Sequence, residues 1–244
     1  MTNQAYRQFC GLARALEVVG EPWALMVVRD LMTGPKEFGE LCHGLPGMPA
    51  DTLSARLGEL ERAGAIRVRT PARPGTVASY ELTRYGSELE EIIFRLARWG
   101  AKKLGGPRRD EVVTPDSMVI AFRTLFRPEA ARGMRLAYLV KMGDFAINIR
   151  ISDAGIAVGK GLINDADLVI EAGPALRPLM AGEMSPREAV EAGSVRLTGD
   201  ASLLAWFVEI FHITPAPPAR PASSRAPITA ATVNGHADPA GALA

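Results

Sequence analysis

Apolar residues along this chain recur with two different periods, and the change from one to the other marks its organisation. In the first hundred residues the helical period dominates. Residues 9–19 form one amphipathic segment closed by Gly20. Pro22 then stands where a first helical turn accepts proline, and Trp23, Val27 and Leu31 follow at four-residue spacing until Gly34-Pro35 ends the run. A short helix is expected over 38–41. After Leu45-Pro46-Gly47, Leu53, Leu57 and Leu60 make a stripe of spacing i, i+4, i+7, closed by Gly64. Residues 66–70 and 79–83 read as two strands around Pro71-Ala72-Arg73-Pro74-Gly75, and 89–104 as a long helix with Ile92, Ile93, Leu96 and Trp99 on its apolar side.

Beyond Gly105-Gly106-Pro107 the pattern becomes mixed. A helix is expected over 118–126. Phe145, Ile147 and Ile149 alternate with Ala146, Asn148 and Arg150, the period of a half-buried strand, and residues 138–141 pair with them across Gly143-Asp144. Further strands are expected at 156–158, 168–170 and 195–197, and helices at 174–181, 186–191 and 203–211. The fold class is therefore α+β. From Pro215 onward six prolines and ten alanines, without an aromatic residue, offer too little apolar surface to offset ordering entropy, so a disordered tail is expected. The expected domains are 1–106, a linker at 107–114, 115–213, and a tail at 214–244.

Three helices followed by a two-stranded ribbon is the element order of a winged helix-turn-helix, and charge fits it. The net charge of +1 conceals a division. Between residues 55 and 86 there are six arginines against three glutamates, a local basicity suited to phosphates. With the leucine stripe turned inward, Thr52, Ala55, Arg56 and Glu59 are expected to face outward, with Ser54 as a further DNA contact. Arg56 is the candidate for bidentate bonding to guanine or a phosphate, and Arg67, Arg69 and Arg73 for phosphate contacts from the ribbon. Asp51, near the start of that helix, is expected to cap it.

Several motifs in order resemble the HxlR-type branch of winged-helix transcriptional regulators: Val19-Gly20-Glu21-Pro22-Trp23, Gly34-Pro35-Lys36-Glu37-Phe38, Leu45-Pro46-Gly47-Met48, Thr52-Leu53-Ser54-Ala55-Arg56-Leu57, Glu61-Arg62-Ala63-Gly64 and Tyr80-Glu81-Leu82-Thr83-Arg84-Tyr85-Gly86. The resemblance implies a homodimer held partly by terminal helices, including 89–104, on double-stranded DNA. It also draws attention to Cys10, matching a near-N-terminal cysteine that some relatives use to sense oxidants. Its neighbours Phe9 and Leu12 point instead to a buried thiol.

The second half resembles the sterol-carrier-protein-2-like fold through Phe122-Arg123, the strand around Phe145, Ala166-Asp167-Leu168-Val169-Ile170, Leu179-Met180-Ala181-Gly182, Ser185-Pro186-Arg187-Glu188-Ala189 and Val195-Arg196-Leu197-Thr198-Gly199-Asp200. That implies a five-stranded sheet with helices over an apolar cavity. Phe122, Phe126, Met180, Leu203, Trp206 and Phe207 are the candidate lining for a small apolar effector, or else plain core. A domain used only for dimerisation or partner docking is the alternative.

Enzymatic motifs are poor. The run 155–160 has three residues between its glycines and Gly161 where a P-loop needs Ser or Thr. His43, His212 and His236 are scattered, and Asp165 and Asp167 flank a turn. No catalytic residue, metal site or cofactor is expected. With no apolar run near the roughly 18–20 residues of a membrane span, no secretion signal and two cysteines, a cytoplasmic protein is expected.

Overall fold

The computed structural model describes residues 6–70 and 77–217. The N-terminal half runs α1 (Gly11–Val19), α2 (Ala24–Leu31), β1 (Lys36–Glu37), α3 (Phe38–Gly44), α4 (Ala50–Arg62), β2 (Ile66–Arg69), β3 (Ser79–Leu82), α5 (Arg84–Ser87) and α6 (Leu89–Ala101). Val27, Leu31, Leu41, Leu53, Leu57, Leu60 and Ile93 meet in one core, so the stripes of α2 and α4 face inward as expected, whereas of the apolar side expected on α6 only Ile93 does, and Ile92, Leu96 and Trp99 are exposed. The ribbon gains an unexpected third member: β1 pairs antiparallel with β3, giving the order β1-β3-β2. Two residues are too few to display any period, so only the pairing reveals this strand. Trp23 was expected inside the second helix. It sits instead before its start, with φ at 76°, and the helix begins at Ala24.

The short α5 also escaped the sequence reading. Thr83 caps it, accepting from the Gly86 amide at 3.0 Å and donating to the Gly64 carbonyl at 2.6 Å. Gly86 lies against the Ala65 carbonyl, in space that a side chain would need.

The C-terminal half runs α7 (Pro115–Leu125), β4 (Leu136–Met142), β5 (Phe145–Ser152), β6 (Gly155–Lys160), β7 (Leu168–Glu171), a 3-10 turn (Gly173–Ala175), α8 (Leu176–Met180), α9 (Pro186–Glu191), β8 (Arg196–Gly199) and α10 (Leu203–Ile210). The helix expected over 174–181 is thus a turn followed by a short helix. The strands form a mixed sheet in the order β6-β5-β4-β7-β8, with β4 and β7 parallel. Register puts Tyr138 and Val140 beside Ile149 and Ile147 on one flank and Leu168 and Ile170 on the other. One sheet face is thereby apolar, and it packs with Phe122 of α7 and Phe207 of α10 in a second core.

The two halves touch along α7, which packs against α2 and α6 on one side and β5 and β6 on the other. Arg98 of α6 donates to the Thr124 carbonyl at 2.7 Å. Arg123 of α7 pairs with Glu90 at 2.6 Å, donates to the Met32 carbonyl, and lies over the Phe94 ring.

Candidate nucleic-acid interface

The turn between α3 and α4 is made by Leu45 to Pro49, with Gly47 at φ 84°, a value that favours glycine. Burial of Leu53, Leu57 and Leu60 fixes which side of α4 remains outward. Ser54 and Ala55 are exposed and Thr52 half-buried, as expected of residues offered to a groove. Arg62, at the last turn of the same helix, is exposed as well. It lies seven residues beyond Ala55, two helical turns along the same face, a signal the sequence held and the reading passed over.

Arg56 corrects the expectation. It is 3% exposed, not outward. The residue lies three after Leu53 and four before Leu60, which sets it at the border of the buried stripe. Where α4 leans on α1 and α2 that border is covered. The guanidinium pairs with Glu59 at 2.6 Å and reaches Glu21, between α1 and α2, at 3.7 Å. In this conformation Arg56 fastens the helix to its support and presents no donor to a groove.

On the ribbon, Arg67 and Arg69 point into solvent, 68% and 65% exposed at the side chain. Arg67 and Glu81 stand opposite each other in the β2–β3 register, and the guanidinium holds that carboxylate at 2.7 Å. Arg69 reaches the same carboxylate at 3.9 Å. A phosphate would have to share these arginines with Glu81. Arg73 lies outside the described residues. Asp51 does not cap α4: Pro49 holds that position, and Asp51 sits in the first turn, its carboxylate accepting from the Thr52 amide at 2.7 Å.

Cys10 is a second correction. It stands at the N-cap position of α1 and is exposed, and Phe9 and Leu12, expected to bury it, are themselves exposed. The amides of Ala13 and then Leu12, aimed at the sulfur from the first turn of the helix, pull its pKa below the ordinary thiol value.

The expected apolar pocket is also changed. Phe122, Met180 and Phe207 are buried, Phe126 and Leu203 half-buried, and Trp206 is 48% exposed. Trp206 is on the outer side of α10 because Phe207 and Ile210 take the inner one. The rings of Phe122, Phe207 and Phe211 stack on one another with centroids 5.0–5.9 Å apart, mostly edge to face, and Tyr138 joins them. An open depression elsewhere, lined by Lys141, Glu171, Ser194 and Arg196 among others, includes none of the candidate residues. Among the described residues no group of three or more His, Cys, Asp or Glu is placed to hold a metal ion, and no helix is long and apolar enough to cross a membrane.

A helix-turn-helix whose second helix shows a polar face beside an arginine-bearing antiparallel ribbon defines a winged-helix, DNA-binding class of module. Known proteins sharpen the class to a family. The sequence profile of the HxlR-like helix-turn-helix family matches residues 18–106. An uncharacterized HTH-type transcriptional regulator of Mycobacterium tuberculosis, Rv3095, is 39% identical over 97 residues, which cover 39% of this chain and 60% of that protein. YkvN of Bacillus subtilis, likewise named an uncharacterized HTH-type transcriptional regulator, is 30% identical over 112 residues and is covered over 95% of its length. Among solved structures, the reduced form of the transcriptional regulator YodB from B. subtilis is 25% identical, with 39% of this chain and 95% of that one covered at a TM-score of 0.36. The chain belongs to the HxlR-like helix-turn-helix family.

Proposed function

We propose that this protein is a cytoplasmic, homodimeric transcriptional regulator whose N-terminal half, residues 1–106, reads double-stranded DNA with α4 in the major groove. Thr52, Ser54 and Ala55 make the groove contacts, joined by Arg62, while Arg67, Arg69 and Arg73 hold phosphates. The observation that carries this reading is the outward polar face of α4 beside the exposed arginines of β2. The second copy covers Ile92, Leu96 and Trp99, which line the exposed side of α6 at four- and three-residue spacing, 49–71% exposed in the single chain.

After a linker at 107–114, residues 115–213 form the second domain; of the tail expected at 214–244, residues 218–244 lie outside the described residues. The mixed five-stranded sheet and its covering helices support the sterol-carrier-protein-2-like reading of that domain. A small apolar effector would have to part the rings of Phe122, Phe207 and Phe211. Their close packing favours the alternative, a module used for dimerisation or partner docking.

A thiol-responsive regulator is the second reading, favoured by the exposure of Cys10 and the two amides that lower its pKa. Cys10→Ser should then leave DNA affinity intact and abolish its change on treatment with an oxidant.

The deciding experiment is fluorescence anisotropy of the full chain on its own upstream DNA, with random DNA as control, across a salt series. Selective binding that weakens steeply with salt is the expected result. Equal, weak binding to both DNAs, with no selective site in a genomic pull-down, would overturn the regulator.

A further inference from the structure

Where the two halves meet they share one buried carboxylate. Asp116 lies in the first turn of α7, behind the Thr114 cap and Pro115, where the helix dipole favours an anion. Its Oδ1 accepts from Thr33 Oγ1 at 2.7 Å and from Lys160 Nζ at 3.0 Å. Its Oδ2 faces Lys36 Nζ at 3.1 Å. Burial works against the charge of Asp116, yet the bonds from Thr33, Lys160 and Lys36 outweigh it and hold the group below its ordinary pKa.

The three partners come from separate elements. Thr33 follows α2, Lys36 opens β1, and Lys160 closes β6 at the edge of the C-terminal sheet. The Lys36 side chain is 5% exposed, and among the described residues Asp116 is the carboxylate within ion-pair distance of it. A buried ammonium deprived of its partner is strongly destabilised and must move or lose its proton. Lys36 is also half of β1. It pairs with Tyr80 of β3, and β3 pairs with the strand carrying Arg67 and Arg69. The charge that stabilises the root of the wing is thus supplied by the other half of the molecule.

We propose that Asp116 is a positioning residue for the wing: through Lys36 it fixes the root of the β1-β3-β2 ribbon, and the hold of Lys160 on the same carboxylate lets the C-terminal sheet set where that ribbon stands. The consequence for DNA rests on the regulator reading above; the mechanical link does not.

Lys160→Met is the informative variant, because the side chain is 45% exposed, keeps its stem, and belongs to neither the wing nor the DNA face. Hydrogen exchange of the full chain, followed by mass spectrometry, reads each strand separately. Amides of β1 and β3 should exchange about fivefold faster or more, with β4 and β5 unchanged, and affinity for the upstream DNA should fall by a comparable factor. Asp116→Asn should do the same more strongly, and where it fails to fold, Lys160→Met decides alone. Unchanged exchange in β1 and β3, or faster exchange spread evenly over the C-terminal sheet, would overturn the proposal. Faster wing exchange with undiminished DNA affinity would overturn the claim that it positions the wing for binding. If the unaltered protein shows no salt-dependent DNA binding, the regulator reading falls, and exchange by itself decides the link.

Discussion

Arg56 and Arg67 belong to the same basic stretch, and their surroundings give them opposite work. Arg56 is enclosed beside Glu59 and Glu21, whereas Arg67 stands in solvent opposite Glu81. Each arginine that neutralises a phosphate adds about one to the slope of log affinity against log salt. Arg67→Ala should therefore lower that slope by about one, while Arg56→Met leaves it unchanged and shows its effect in the urea midpoint. Gly86 is a sharper case. A methyl group there would run into the Ala65 carbonyl, so backbone must shift between α5 and the start of β2. Gly86→Ala should cost about 1–3 kcal/mol, read from chemical denaturation, as overpacking commonly does.

At the level of elements, periodicity was legible wherever a segment is long and one-sided. The leucine stripe of α4 and the alternation of β5 both face inward as their spacing implied. The two-residue β1 and the four-residue α5 carry too little pattern, and pairing or capping by distant residues defines them. Candidate pocket residues show the same limit: a row of large apolar side chains has one composition whether it lines a void or fills it. Here the rings of Phe122, Phe207 and Phe211 touch one another, the contacts expected of a filled core. Phe207→Ala should then destabilise the protein by about 3–5 kcal/mol. It should also create uptake of a small apolar fluorophore that the unaltered protein lacks. Uptake by the unaltered protein would restore the open-pocket reading.

For the whole molecule, two cores joined through α7 make stability depend on a junction of charges. The Asp116 carboxyl titrates lower when folded than at its ordinary unfolded value, because burial, which would raise it, is outweighed by the bonds from Thr33, Lys160 and Lys36. Its contribution is complete above that unfolded value and is lost as pH falls through the folded one. The urea midpoints of the unaltered protein and Asp116→Asn, separate at neutral pH, should converge in acid. Asp30 acts in the opposite sense: burial raises its pKa against the pull of Arg29, so its penalty grows as pH rises through the raised value. Association is the other whole-molecule property. On the homodimer reading proposed above, Leu96→Glu should put a charge in the middle of the exposed α6 stripe and shift sedimentation from dimer to monomer.

The sequence by itself determined the long helices, the central strands, the order of a winged module followed by a mixed sheet, and the arginines of β2. Each of these depends on neighbours within a few residues, where helical or strand period and turn-forming glycine and proline act directly. Only the tertiary structure decided that Arg56 is enclosed, that Cys10 is exposed, that Phe207 meets the rings of Phe122, Tyr138 and Phe211, and that Asp116 joins Lys36 to Lys160 across 80 and 44 residues of chain respectively. Enclosure is set by what packs from elsewhere in the chain, and local spacing contains no term for it.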